Sequence, residues 1–216
     1  MQIKLMKKIM GSNIEIAEAN RRRFAEDRVC AINVMASPGA GKTSVILGLL
    51  AQIGATVPAA VIEGDIASCI DAEKIEARGV PVVQINTGGG CHLDANMIRE
   101  AADDLQVHDG LLFIENVGNL VCPSSFDLGE SLRLVIASVP EGHDKPFKYL
   151  AMFATADLIV LNKIDLLAHT DFDKPQFYQG IAAINTRQAP VFEVSCRTGE
   201  GMAKLAGYVL SKFSQG

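Results

Sequence analysis

Short, almost wholly apolar blocks alternate along this chain with longer stretches in which apolar residues recur at helical spacing. The blocks predict strands at Val29–Met35, Ala59–Ile62, Val80–Ile85, Leu111–Ile114, Leu132–Val139, Leu158–Leu161 and Val191–Val194. The periodic stretches predict helices over Gly41–Ile53, Asp71–Arg78 (with Gly79 as its stop), Asp94–Leu105, a segment ending at Phe153, Pro175–Ile184 and Gly201–Phe213. Upstream, Ser12-x-x-Glu15 is a capping-box pattern, predicting a helix that starts there and turns Ile14, Ala17 and Phe24 inward. Regular strand–helix alternation predicts an α/β fold: a three-layer, mostly parallel sheet with helices on both faces. In such sheets ligands bind beyond the carboxyl ends of the strands. The polar clusters fall there: Ser37–Thr43, Glu63–Asp65, Thr87–His92, Glu115–Gly118, Asn162–Asp165 and Ser195–Gly201.

Composition narrows the class. At 216 residues and 49% hydrophobic, the chain can bury one full-sized core. A net charge of −5 leaves no basic footprint for nucleic acid. There is no apolar run long enough to span a membrane and no signal-peptide core in Met1–Met10, so a cytoplasmic protein is expected. Five cysteines, an odd number, argue against a disulfide framework and leave thiols free to be buried or to bind metal. The Arg21–Arg23 cluster reads as a solvated face.

The chemistry centres on Met35–Ser44. Ala36-x4-Gly41-Lys42-Thr43 matches the phosphate-loop pattern with Ala in place of the first glycine. Small residues at Gly39, Ala40 and Gly41 let backbone N–H groups turn toward phosphate oxygens, and the following helix start adds positive partial charge. Lys42 is expected to reach the β- and γ-phosphates, the Thr43 hydroxyl can bind Mg²⁺, and Ser37 and Ser44 flank the loop. Asn162-Lys163-Ile164-Asp165 resembles the N-K-x-D guanine motif of GTP-binding proteins, although in isolation it would read as a turn after a strand. The Asp165 carboxylate can accept from both N1–H and the 2-amino group of guanine, a pair that adenine lacks. Lys163 can lie along the base and Asn162 can tie this segment to the phosphate loop. Ser195-Cys196-Arg197-Thr198-Gly199 resembles the loop that covers guanine O6, with Cys196 and Arg197 in place of the usual Ala and Lys. Asp65 and Glu115, at successive strand ends, complete the candidate Mg²⁺ set with Thr43. With Lys42 they are also the candidate catalytic residues. Glu63 and Asp65 read equally well as surface charge. Glu115-x-x-Gly118 resembles the D-x-x-G switch of GTPases, which makes Gly118 a candidate donor to the γ-phosphate. No Gln follows Gly118, and Ser37 stands where one branch of dimeric NTPases carries a lysine, so slow turnover is expected. Lys145 reads as a γ-phosphate sensor or, more simply, as a solvated lysine.

Cys91-His92 follows three glycines, and Cys122 lies on the loop after Glu115. Thiolate with imidazole suits Ni²⁺ or Zn²⁺. By spacing alone, a structural Cys-His pair is the simpler reading. The segments Gln84–Ala95 and Glu115–Pro123, taken with the phosphate loop and Asn162–Asp165, resemble the hydrogenase nickel-incorporation GTPases, the HypB family, from about Asn20 to the C-terminus. That resemblance implies a fold of the dimeric, SIMIBI-like phosphate-loop class and a GTPase domain over 29–216, preceded by an N-terminal extension, 1–28. It implies GTP/GDP and Mg²⁺ as cofactors and Cys91, His92 and Cys122 as ligands for Ni²⁺ or Zn²⁺. It further implies a homodimer formed with nucleotide or metal, a small HypA-type nickel metallochaperone as partner, and the hydrogenase large-subunit precursor as recipient. Many members carry an N-terminal Cys- or His-rich nickel motif; Met1–Arg28 has neither residue, so no tight nickel store is expected there. The urease nickel GTPases share the logic but carry Cys-Pro-His. A regulatory GTP-binding module with structural Cys and His is the other alternative.

Overall fold

The computed structural model describes residues 2–66 and 69–214, with side chains from residue 11 onward. Seven strands form one sheet: β1 (Val29–Ala36), β2 (Ala59–Asp65), β3 (Val82–Asn86), β4 (Gly110–Glu115), β5 (Leu132–Ser138), β6 (Leu158–Asn162) and β7 (Val191–Glu193). Their order is β3-β2-β4-β1-β5-β6-β7, and every recorded pairing is parallel. The expected mostly parallel sheet is therefore wholly parallel among the described residues. Near-continuous burial of β1, β4 and β6 is what coverage on both faces requires.

The two-residue strand period sorts the core. On one face Ile32, Val34, Val61 and Phe113 pack under α2 (Lys42–Ile53), α3 (Ile70–Glu76) and α8 (Met202–Phe213). On the other, Ala31, Ile62, Leu112 and Ile114 pack under α1 (Gln2–Glu26) and α4 (Ala95–Leu105). The same face under β5 and β6 is covered by two short helices, α5 (Lys145–Lys148) and α6 (Leu150–Ala154), and by α7 (Lys174–Ile184). No helix among the described residues is long and apolar enough to cross a membrane.

Two expectations change. The helix α1 does not begin at Ser12 but runs through it from Gln2, because the Lys-, Leu- and Met-rich residues before it are good helix formers and carry the helix past the capping pattern. Its inward stripe is Asn13, Ala17, Asn20 and Phe24, while Ile14 is 56% exposed. The strands β2 and β4 also run on to Asp65 and Glu115, so Glu63, Asp65 and Glu115 sit within the sheet. The Arg21–Arg23 cluster is a largely solvated face as expected, with an exposed ion pair from Arg21 Nη2 to both Asp127 carboxylate oxygens at 2.7 and 2.8 Å.

Candidate functional site

The chain leaves β1 at Ala36 and enters α2 at Lys42, and the loop between them lies at the carboxyl edge of the central strand. Gly41 is required there twice over: its φ is +100°, and a Cβ would come within 2.6 Å of Asn162 Nδ2. Asn162 ends β6 and donates to the Ala40 carbonyl at 3.0 Å, while Lys163 Nζ donates to the Gly39 carbonyl at 2.7 Å. Distant segments are thus tied to the same loop. Ser37 and Thr43 are half-buried, Ala40 is buried, and Gly39 and Ser44 are exposed.

Thr43, in the first turn of α2, donates its hydroxyl to Glu115 Oε1 at 2.9 Å. Strand alternation turns Glu63, Asp65 and Glu115 to this same face, and Glu63 lies directly opposite Glu115 in the β2–β4 register. Burial raises the Glu115 carboxyl to about 7, against the pull of the Lys42 ammonium. Burial, then the Glu115 and Asp65 carboxylates, raise Glu63 to about 8. Glu63 is 2% exposed, so the surface-charge reading fails for it. Glu115 Oε2 and Glu63 Oε2 are buried without a hydrogen-bond partner. Hard, under-satisfied oxygens beside a threonine hydroxyl fit a divalent cation of the Mg²⁺ kind. Gly118 packs on the phosphate loop; a Cβ there would lie 3.2 Å from Pro38 Cα. Lys145, in contrast, is largely buried against Glu141 (3.5 Å) and over the Tyr149 ring, committed rather than solvated.

A cleft of about 690 Å³ opens beside α2, bordered by Ser44, Asn162, Lys163, Asp165, Cys196 and Arg197. Ser195, fully buried, donates its hydroxyl to Asp165 Oδ1 at 2.6 Å and so aims the carboxylate. Cys196 Sγ reaches Asn162 Oδ1 at 3.4 Å; burial, then Asp165, pushes its thiol up to about 11, so it behaves as a neutral wall of the cleft. Arg197 is exposed and only 3.9 Å from Asp165. These residues come together as a site of the size and polarity a base and ribose require.

The loop after β3 carries Cys91 and His92, and a short turn at Cys122–Ser125 carries Cys122. Cys91 Sγ lies 2.7 Å from Cys122 Sγ and 3.6 Å from His92 Nδ1, and one ligand atom from each of the three falls within 4.8 Å of the others. All five cysteines are free. The His92 ring stacks on Phe126 at 3.7 Å between centroids, and burial lowers its pKa, which favours the neutral imidazole a metal needs. Two soft thiols and an imidazole fit Ni²⁺ or Zn²⁺ better than Mg²⁺. Neither Phe126 nor the burial of Glu63 was legible from spacing, since both depend on contacts between segments distant in the chain.

Three comparisons bear on this arrangement. A family described as CobW/HypB/UreG, nucleotide-binding domain, matches residues 30–192. The hydrogenase maturation factor HypB of Escherichia coli K12 is 48% identical over 195 residues, which are 90% of this chain and 67% of that protein. Among solved structures, HypB from Helicobacter pylori in complex with nickel superposes with a TM-score of 0.89 at 34% identity, covering 94% of this chain and 96% of the other. HypB from Archaeoglobus fulgidus superposes with a TM-score of 0.88 at 37% identity, covering 94% and 99%.

Proposed function

This chain belongs to the CobW/HypB/UreG nucleotide-binding family and, within it, to the HypB hydrogenase maturation factors, and from that premise we propose that it is a GTPase that incorporates nickel into [NiFe]-hydrogenase. GTP is gripped by the Gly39–Ser44 loop and Lys42, and its base is selected by Asp165, held by Ser195, with Lys163 alongside. Thr43, Glu115 and Asp65 would hold Mg²⁺, which supplies charge neutralisation on the phosphates when bound. Hydrolysis is slow, because Asn119 follows Gly118 and Ser37 supplies no cation to the γ-phosphate. Nickel is the cargo, carried by Cys91, His92 and Cys122. A homodimer, a small HypA-type metallochaperone and the hydrogenase large-subunit precursor, in the cytoplasm, complete the reading.

One observation carries the coupling of the two sites. Gly118 abuts the phosphate loop, and Cys122, on the same short loop, lies within ligand distance of Cys91 and His92. Movement of Gly118 on loss of the γ-phosphate therefore moves one ligand relative to the other two. Linkage requires metal to change the preference for GTP over GDP by the same factor. Nickel affinity measured by chelator competition, with GDP and with a non-hydrolysable GTP analogue, tests this: different affinities are expected, and equal ones refute the coupling. Unchanged nickel stoichiometry in Cys91→Ala and Cys122→Ala refutes the ligand set.

A further inference from the structure

We propose that Asn116 is the joint between the two loops, a positioning residue whose single side-chain oxygen holds the backbone of both. Asn116 directly follows β4 and is 1% exposed. Its Oδ1 accepts from the Leu93 N–H at 3.1 Å and from the Val117 N–H at 3.0 Å. Leu93 follows the ligand His92, and Val117 precedes Gly118. The two bonds use both lone pairs of one carbonyl oxygen, so neither loop can shift without disturbing the acceptor of the other.

The rest of the side chain is pinned. Asn116 Nδ2 donates to Asn33 Oδ1 at 3.1 Å, and Asn33 Nδ2 donates to Glu130 Oε1 at 3.4 Å. Arg133 Nε holds the same Glu130 oxygen at 2.7 Å. The Asn116 backbone N–H is tied to the Val34 carbonyl at 3.0 Å, in the strand that leads to the phosphate loop. On the metal side, the fully buried Leu93 side chain presses on Gly64 of β2, where a Cβ would lie 2.8 Å from it. Leu93 therefore cannot slide to follow a displaced oxygen without repacking. A buried N–H left without an acceptor is strongly unfavourable, so a turn of the Val117–Gly118 segment transmits to Leu93 and hence to His92 rather than dissipating. Asn116 is thereby the element through which phosphate state reaches His92, beside the direct path from Gly118 to Cys122. This rests on the nucleotide–nickel coupling proposed above.

The test compares nickel affinity with GDP and with a non-hydrolysable GTP analogue in the wild-type protein, Asn116→Ala and Asn33→Ala. The wild-type ratio is expected on the order of tenfold. In Asn116→Ala it falls by at least about threefold, to what the direct Gly118–Cys122 path carries alone, while fluorescent-nucleotide affinity changes by no more than about threefold. Asn33→Ala loosens the same polar network but leaves both bonds to Asn116 Oδ1, and is expected to keep the ratio. A wild-type ratio of one overturns the coupling and this proposal together. A wild-type ratio that survives undiminished in Asn116→Ala, or that Asn33→Ala lowers equally, overturns the proposal alone. Should Asn116→Ala not melt cooperatively, amide exchange by NMR in the wild-type protein decides. Protection of the Leu93 and Val117 amides must change together when GDP is replaced by the analogue; independent changes overturn the joint.

Discussion

Replacing Glu63 by Gln removes a carboxyl that the fold holds at a disadvantage, and the effect should depend on pH in one direction only. Glu63 is 2% exposed, faces Glu115 across the β2–β4 pair and leaves Oε2 without a partner. Its carboxyl rises from an ordinary 4.5 to about 8, through burial first and then the Glu115 and Asp65 carboxylates. A carboxyl raised in the folded state holds a proton that the unfolded chain has released. Stability therefore falls as pH rises from about 4.5, and levels off above about 8. At about 1.4 kcal/mol per pH unit, the full penalty is on the order of 5 kcal/mol, of which about 3 kcal/mol accumulates above pH 5.5. Glu115, raised to about 7, adds a slope of the same sign, while the lowered His92 opposes it up to its ordinary value of 6.5. The difference between variant and wild type removes the His92 contribution and reports Glu63 together with its coupling to Glu115. Urea unfolding of nucleotide-free, metal-free protein between pH 5.5 and 8.5 should show Glu63→Gln gaining about 3 kcal/mol on the wild type across that range. A difference that is flat with pH, or that shrinks as pH rises, would refute the reasoning.

Other positions give sharper yes-or-no outcomes. Asp165→Asn removes the paired acceptor for guanine N1–H and its 2-amino group; GTP affinity should fall by roughly 100-fold and xanthine nucleotides should gain, read by fluorescent-nucleotide competition. Retained GTP preference would count against the base assignment. Asn20→Ala deletes buried bonds to the Ala95 and Leu128 carbonyls at 2.8 and 3.0 Å. The loss should be about 2–4 kcal/mol in urea unfolding, and a change below about 1 kcal/mol would show that α1 is not clamped to the body through this residue. Gly201→Ala places a Cβ 2.0 Å from the Glu193 carbonyl at a φ of +75°. A destabilisation of roughly 3 kcal/mol or more is expected, with weaker GTP binding because the same turn carries Ser195; a neutral substitution would mean the turn can relax.

The phosphate loop and the Asn162–Asp165 motif were legible because each is a contiguous run whose chemistry is written in backbone shape and side-chain type. The strands were legible because burial on both faces leaves near-continuous apolar runs. Ser12 misled because a capping pattern marks a helix start only where the preceding residues are not themselves helical, and here they are. Glu63 stayed open because a carboxylate at a strand end reads equally well as solvated until the extent of the strand and its neighbour are known.

The sequence by itself determined the alternation of strand and helix and carried the phosphate-loop and Asn162–Asp165 patterns, since these depend on local order along the chain, while the candidate metal ligands stood out only through the family resemblance. Only the tertiary structure decided which groups share a site. It set Thr43 on Glu115, Asn162 on Ala40 and Cys122 beside Cys91, and hung the metal loop and the nucleotide loop on one oxygen of Asn116. Those contacts join segments far apart in the chain. They arise from parallel strand order, which places the ends of β3, β4 and β1 along one edge of the sheet, and no pattern read along the sequence specifies that order.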